Sequence, residues 1–452
     1  LDKRIYDASA ERLSRDQIKA MQTRQLTYLL QKVWRENEFY RNRWQAAGVS
    51  IDEITSLESF AAKIPMVEKR DFVEDQASSP PFGLRHQHAL GLHCPLVVSN
   101  TSGTSGQGVE IHAQTAAEFN QTGHIYGFHM RWAGLDQGDG VFLTLPITLM
   151  SGGRCEFQGA DAYGLSVFPV GNYDAVRKLE LMARYRPAAL LGTTSYFGHL
   201  AAVAGDKASS LGLRALLTGG EGSGFAWLDR LEQAWGAKVF DRYGSTQTGN
   251  DHMFCCEVGI GTASRPGMLH NIESMVLTEV IDPATGEPVR DGEVGEIVVT
   301  SLYHTDTPLI RCRTRDRGVW HEPGYCSCGR PFAGLEVASI SRLDDMKKVK
   351  GVNIWPQAVD EVLFAEPDVD EYQVILTSDA RDADVATLRV MPKRSLSSED
   401  AGQWQRHLSE KINKRIGITF LVDVLAPGSL ARSEYKAKRW QDERSHAQRG
   451  KA

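Results

Sequence analysis

No lysine follows any glycine of the stretch Asn100-Thr101-Ser102-Gly103-Thr104-Ser105-Gly106-Gln107-Gly108. The kinase-type phosphate loop, which needs Gly-Lys-Ser/Thr after its spacer, is therefore excluded there. Gly103, Gly106 and Gly108 also lack the Gly-x-Gly-x-x-Gly spacing of dinucleotide-binding turns. No apolar run approaches the roughly 18 residues that a membrane span requires, and the first residues carry no signal-peptide pattern. A cytoplasmic protein without a membrane partner is expected. A formal charge of -6 gives no electrostatic case for nucleic acid. Seven cysteines in 452 residues fit reduced thiols or a metal site better than a disulfide framework. There is no internal repeat or low-complexity tract.

What the chain does have is a hydroxyl-rich glycine loop directly after the apolar run Leu96-Val97-Val98. Glycines let successive backbone N–H groups turn toward one anion, and hydroxyls add donors, so a strand running into such a loop can wrap a phosphate. On composition alone a flexible surface loop is an equal reading. The same pattern recurs downstream: Leu190-Leu191 runs into Gly192-Thr193-Thr194-Ser195-Tyr196, Leu216-Leu217 into Thr218-Gly219-Gly220-Glu221, and Val239-Phe240 into Asp241-Arg242-Tyr243-Gly244-Ser245-Thr246-Gln247. Helix-like segments, such as Asp174 to Tyr185 and Ala226 to Trp235, lie between. This alternation predicts an α/β fold whose loops converge beyond the carboxyl ends of the strands.

Before this region, Ser14-Arg15-Asp16-Gln17 reads as a capping box opening an amphipathic helix with Leu26, Leu29, Leu30 and Val33 on one face. After it, Met275 to Ile281 and Glu296 to Ser301 predict a hairpin in a small β subdomain. A charged stretch near Asp344 precedes a compact α+β unit with a helix after Pro356, strands at 372–377 and 385–391, and a helix from Glu399 to Arg415. The boundary is placed so that residues 1–343 form a large domain of mixed sheets with flanking helices, and residues 344–452 a small α+β domain, which the resemblance named below implies is mobile.

Taken in order, these motifs resemble the adenylate-forming superfamily, and within it the phenylacetate–CoA ligase-like branch. The resemblance implies an ATP-dependent ligase that makes an acyl-adenylate of a small, aromatic carboxylate and passes the acyl group to coenzyme A. It assigns Thr101, Ser102, Gly103, Thr104, Ser105 and Gly106 to the ATP phosphates, and Gly219, Gly220 and Glu221 to the adenine side. Arg242, Tyr243 and Gly244 lead into Thr246, which meets the α-phosphate, and Gln247, at the Mg²⁺ position. Asp316 takes the ribose hydroxyls, Arg342 precedes the hinge at Asp344, and Lys436 reaches into the site as the catalytic lysine, with Lys438 as alternate. His124, Tyr126, Phe128, Tyr196 and Phe197 are the expected acyl-pocket residues.

Four positions depart from the pattern: Gln247 for Glu, Gln107 for the usual loop Lys, Tyr435 for Gly and Ser341 for Gly. An amide carbonyl is a weaker ligand for a hard cation than a carboxylate, so the departures bear on metal geometry and adenylation rate. Cys326-Ser327-Cys328-Gly329-Arg330, with Cys255-Cys256 and His252 or His270 upstream, is a second constellation. Cys-x-Cys is tighter than common zinc spacing, so free thiols stay an open alternative. The resemblance favours Cys256, His270, Cys326 and Cys328 as ligands of a structural Zn²⁺. Rival functions are transfer to a carrier-protein thiol or an amine, and a catalytically weak adenine-nucleotide-binding protein. A homodimer and a carrier protein are partner options.

Overall fold

The computed structural model describes residues 4–101, 108–379, 383–430 and 439–444. The chain forms two compact units. One comprises residues up to Gly192, Leu211–Gly220 and Ala237–Ile340; the other comprises Thr193–Ser210, Glu221–Gly236 and the residues from Ser341 onward.

In the first unit, Ser14 caps the helix Arg15–Glu36 through the full capping box with Gln17, and Leu26, Leu29, Leu30 and Val33 are buried along one face. The strands Gly140–Leu143, Ser166–Pro169, Ala189–Gly192, Ala215–Thr218 and Lys238–Gly244 pair in parallel. The inner strands Gly140–Leu143, Ala189–Gly192 and Ala215–Thr218 are almost continuously apolar because parallel strands are covered on both faces. The sheet then turns antiparallel: Lys238–Gly244 pairs with Asp251–Cys255, which pairs with Met268–Asn271. The expected hairpin is present as Val276–Ile281 against Val294–Ser301.

The strand Leu96–Asn100 does not join the parallel set. It pairs antiparallel with Ile111–Thr115 in a separate two-stranded sheet. The reason is chain length: a parallel return needs a crossover of about a dozen or more residues, and the segment between these strands is too short for one. The glycine loop therefore follows an antiparallel strand, not one of the parallel set.

Two helices, Ala116–Trp132 and Ser151–Tyr163, pack backbone to backbone in this unit. A Cβ on Gly123 would lie 2.5 Å from the Ala162 Cβ, and one on Gly159 would lie 2.4 Å from the Tyr126 Cβ. Glycine is what permits the approach.

The second unit holds the strands Val369–Ser378 and Asp384–Pro392 in antiparallel pairing, with Leu421–Val424 and Trp440–Asp442 at the edges. The helices Pro356–Phe364 and Ser398–Ile416 belong to it. Its polar centre is Arg439, whose Nε lies 2.7 Å from Glu371 and whose guanidinium stacks 4.8 Å from the Phe364 ring centroid. Among the described residues, no helix is long and apolar enough to cross a membrane.

Candidate active site and metal centre

The two antiparallel strands are clamped just beyond their paired ends. The Thr101 N–H donates to the Glu110 carbonyl at 2.9 Å, and the Glu110 N–H returns a bond to Thr101 Oγ1 at 3.0 Å. Ser102, Gly103, Thr104, Ser105 and Gly106 lie outside the described residues, as do Lys436 and Lys438.

At the carboxyl end of Lys238–Gly244, the Tyr243 hydroxyl donates to Asp316 Oδ2 at 3.0 Å and lies 3.3 Å from Thr314 Oγ1. Two residues 73 positions apart are thus joined. The Tyr243 ring meets His252 edge-on at 5.6 Å, and burial pushes that imidazole down to about 4, so it is neutral at pH 7. Gly244 has no room for a side chain, since a Cβ there would lie 2.3 Å from the Asp251 Cα. Beyond it, Thr246 Oγ1 shares a hydrogen bond of 2.7 Å with Ser151 Oγ. Gln247 Nε2 donates to Glu110 Oε2 at 2.8 Å.

Arg242 turns inward. Its guanidinium pairs with Glu156 and, through Nε, with Asp251 at 2.7 Å, and its stem fills the space that a Cβ on Gly219 would need. Asp251 also accepts from the Tyr126 hydroxyl at 2.6 Å. Burial and that carboxylate push the Tyr126 phenol well above its ordinary range, so it is a fixed donor. Gly220 adopts a left-handed φ of 79°, which its lack of a Cβ permits.

Among the pocket candidates, His124 and Phe128 lie one helical turn apart and both meet the Tyr6 ring, at 5.5 and 5.1 Å. Tyr126 instead belongs to the Asp251 network. In the second unit, Glu221 accepts from Thr194 Oγ1 at 2.7 Å and Ser195 Oγ at 2.9 Å. Tyr196 and Phe197 are buried there, and the Phe197 carbonyl takes the Trp235 indole N–H at 3.1 Å. Arg342 and Asp344 pair at 3.6 Å around the short 3-10 turn Leu343–Asp345.

Cys256, His270, Cys326 and Cys328 converge so that their ligand atoms lie within 4.8 Å of one another. The Cys256 and Cys326 sulfurs are 3.6 Å apart, and Cys328 Sγ is 3.4 Å from His270 Nε2. Ligands about 2.3 Å (sulfur) and 2.0 Å (nitrogen) from a tetrahedral zinc stand about 3.5–3.8 Å from each other, close to these two separations, so the donor set suits that ion. Hydrogen bonds to Cys256 and Cys326 draw the Cys328 thiol far down. Burial opposes charge on His270, yet bonds to Cys326 and Cys328 hold it up at about 9. A crowded set of thiols sharing protons in this way is what a cation would relieve. Cys255, His252 and Cys312 are not in the cluster.

Behind the thiols, Arg330 is fully buried. Its Nε donates to Glu11 at 3.0 Å, its Nη1 lies 2.7 Å from Glu257, and its plane stacks 4.4 Å from the Trp132 ring centroid. Its backbone N–H points at Cys328 Sγ at 3.4 Å. The Trp132 indole N–H donates to Glu11 as well, at 3.1 Å.

Glu110, Arg85 and Asp251 are site neighbours that no motif marks, whereas Arg330 ends the Cys-x-Cys-Gly-Arg turn. A usable signal exists for the first: Glu110, His112 and Gln114 are polar at period two along a strand beside the loop, and all three are buried.

Comparison with known proteins agrees with this geometry. Residues 33–304 match the model of the AMP-binding enzyme family, and residues 351–444 that of the AMP-binding enzyme C-terminal domain. The chain is 29% identical to the phenylacetate-coenzyme A ligase of Pseudomonas putida over 446 residues, covering 96% of each chain. It is 28% identical to that of Thermus thermophilus, covering 95% of this chain and 97% of the relative. The fold superposes with a TM-score of 0.88 on 2-hydroxyisobutyryl-CoA ligase, solved in its postadenylation state with an acyl-AMP, at 27% identity over 99% of this chain and 94% of that one. With the Tyr243–Asp316 pair on the end of one strand and both family models matched in order, the chain belongs to the AMP-binding enzymes of the adenylate-forming superfamily, on its phenylacetate–CoA ligase-like branch.

Proposed function

We propose that this protein is an ATP-dependent ligase that activates a small aromatic carboxylate as its acyl-adenylate, releasing pyrophosphate, and then transfers the acyl group to the thiol of coenzyme A, releasing AMP. The observation that carries this reading is the Tyr243–Asp316 hydrogen bond at the strand end that continues into Thr246 and Gln247. It sets an aromatic face for a base beside a carboxylate whose two oxygens suit a ribose diol.

In the first half-reaction the substrate carboxylate attacks the α-phosphorus and the bond to pyrophosphate breaks. Nucleophile and leaving group are both anionic, so preorganised donors supply most of the catalysis. Thr246 donates to the α-phosphate, residues 101–106 to the outgoing pyrophosphate, and Lys436 places a point charge between the acid and the nucleotide. Gly219, Gly220 and Glu221 line the adenine, and Arg342 steadies the nucleotide. Bound Mg²⁺ would offset phosphate charge, with the Gln247 carbonyl oxygen as its protein ligand. Residues 344–452 act as the mobile domain, pivoting at Asp344 so that Lys436 withdraws before the thiol approaches. The thiolate then attacks the acyl carbon and AMP leaves. Cys256, His270, Cys326 and Cys328 hold a structural Zn²⁺ in this reading.

Acid-dependent exchange of pyrophosphate into ATP, run over a panel of aryl and alkyl acids, tests the proposal. Aryl acids are expected to support exchange, and added coenzyme A to yield the thioester. Lys436→Ala should lower exchange by about 10²–10³-fold, the effect of removing one preorganised charge, while a supplied acyl-adenylate is still converted to thioester. If no acid supports exchange, the ligase reading fails. If exchange is normal but coenzyme A gives no thioester, the acceptor is a carrier thiol or an amine.

A further inference from the structure

Gln247 stands where a metal-binding carboxylate is expected, and the structure places a buried carboxylate directly behind it. Glu110 is fully buried and accepts from Gln247 Nε2 through Oε2. Its Oε1 lies 2.7 Å from His112 Nε2 and 3.9 Å from the Arg85 guanidinium. Arg85 in turn lies 3.0 Å from His112 Nδ1 and 3.1 Å from His86 Nε2. His86 Nδ1 faces the Phe82 carbonyl at 2.8 Å.

These contacts fix the protons. The Phe82 carbonyl can only accept, so His86 carries its proton on Nδ1 and accepts from Arg85. Arg85 can only donate, so His112 Nδ1 is an acceptor and its proton sits on Nε2, toward Glu110. Burial holds both imidazoles below their ordinary range, so both are neutral. Arg85 is therefore the cation that balances Glu110. A carboxylate in this chain has no proton to give, so the Gln247 amide must present its NH₂ to Glu110 and its carbonyl oxygen to the opposite side.

We infer that Glu110 is a positioning residue that locks the Gln247 amide with Oε1 facing the nucleotide, making the Glu110–Gln247 pair this chain's replacement for the single carboxylate. The inference rests on the ligase reading for what the oxygen faces. An amide oxygen backed by an anion is a better ligand for a hard cation than a freely rotating amide.

The test is a charge exchange read by Mn²⁺ binding, followed by electron paramagnetic resonance with ATP present and no acid, alongside thermal melting. Gln247→Glu, the substitution that adds a carboxylate, is expected to weaken Mn²⁺ binding about tenfold, because two carboxylates at hydrogen-bond distance must share a proton that the ion has to displace. Glu110→Gln should weaken it about three- to tenfold by freeing the amide. The double variant, Glu110→Gln with Gln247→Glu, restores one carboxylate and one amide and should return within about threefold of wild type, with the largest coupling expected of contacting residues. Tighter binding by Gln247→Glu alone, or a double variant no better than its parents, overturns the inference, as does a wild-type chain that binds no Mn²⁺ with ATP. Normal Mn²⁺–ATP binding without acid-dependent exchange would instead defeat the ligase reading and leave the pair standing.

Discussion

Zinc removal is expected to cost this protein more stability than any single side-chain change outside the metal cluster. Protein purified without an affinity tag should carry one zinc per chain, and Cys328→Ser should reduce that to below about a tenth, since a lost thiolate opens the tetrahedral set. Zinc in isolated finger peptides contributes about 10–16 kcal/mol, but there the metal folds the chain from nothing. Here the loop is also pinned by Arg330, so a smaller loss, on the order of 5 kcal/mol, is expected on chelation. Urea unfolding followed by tryptophan emission, with and without chelator, measures it. A native protein with no bound zinc, or a midpoint unmoved by chelation, would leave Cys256, His270, Cys326 and Cys328 as free thiols.

Arg330→Met should be the most damaging replacement of a residue that binds neither metal nor nucleotide. The Arg330 guanidinium and the Glu11 carboxylate are fully buried, and Glu257 is 2% exposed. Removing the cation takes this counter-charge from two buried carboxylates, of which Glu11 keeps the Tyr6, Asp7 and Trp132 N–H donors, and breaking a buried pair by deleting one partner costs about 3–5 kcal/mol. The Trp132 ring would lose its stacked guanidinium as well, so its emission reports the change locally. Triple replacement of Arg330, Glu11 and Glu257 by apolar residues of similar size should recover much of the loss, because a charge cluster and an apolar one can be nearly equivalent in stability. If Arg330→Met unfolds within about 1 kcal/mol of wild type, the cluster is not a structural anchor.

The contrast between what could and could not be read from the sequence has a physical basis. The Ser14–Gln17 capping box, the helix Pro356–Phe364 and the hairpin Val276–Ile281 with Val294–Ser301 are encoded by neighbours a few positions apart, and each is present. Of the cysteine cluster, Cys-x-Cys supplies Cys326 and Cys328 locally, while the spacing does not choose Cys256 and His270 over Cys255 and His252, which the resemblance does. Leu96–Asn100 has the composition of the parallel strands that follow, and only the shortness of its return segment reveals that it belongs to an antiparallel pair. Arg242 carries no spacing that points to Glu156 or Asp251, and Glu110 none that points to Gln247, 137 positions away. Ion pairs and amide locks are set by tertiary approach, so periodicity is silent about them.

The link between Arg330 and Glu11 also has a consequence for the order in which the chain takes shape during synthesis. The partners are 319 positions apart. At a translation rate of about 5–20 residues per second, Glu11 waits roughly 15–60 s for its cation to be made. Throughout that interval the helix Arg15–Glu36 can form on its own capping box, and the segment before it can dock on His124, Phe128 and Trp132, but its Glu11 carboxylate lacks this buried cation. Residues 4–11 are thus fully secured only late, and a nascent-chain protease assay should find them more readily cleaved before Arg330 has left the ribosome than after it.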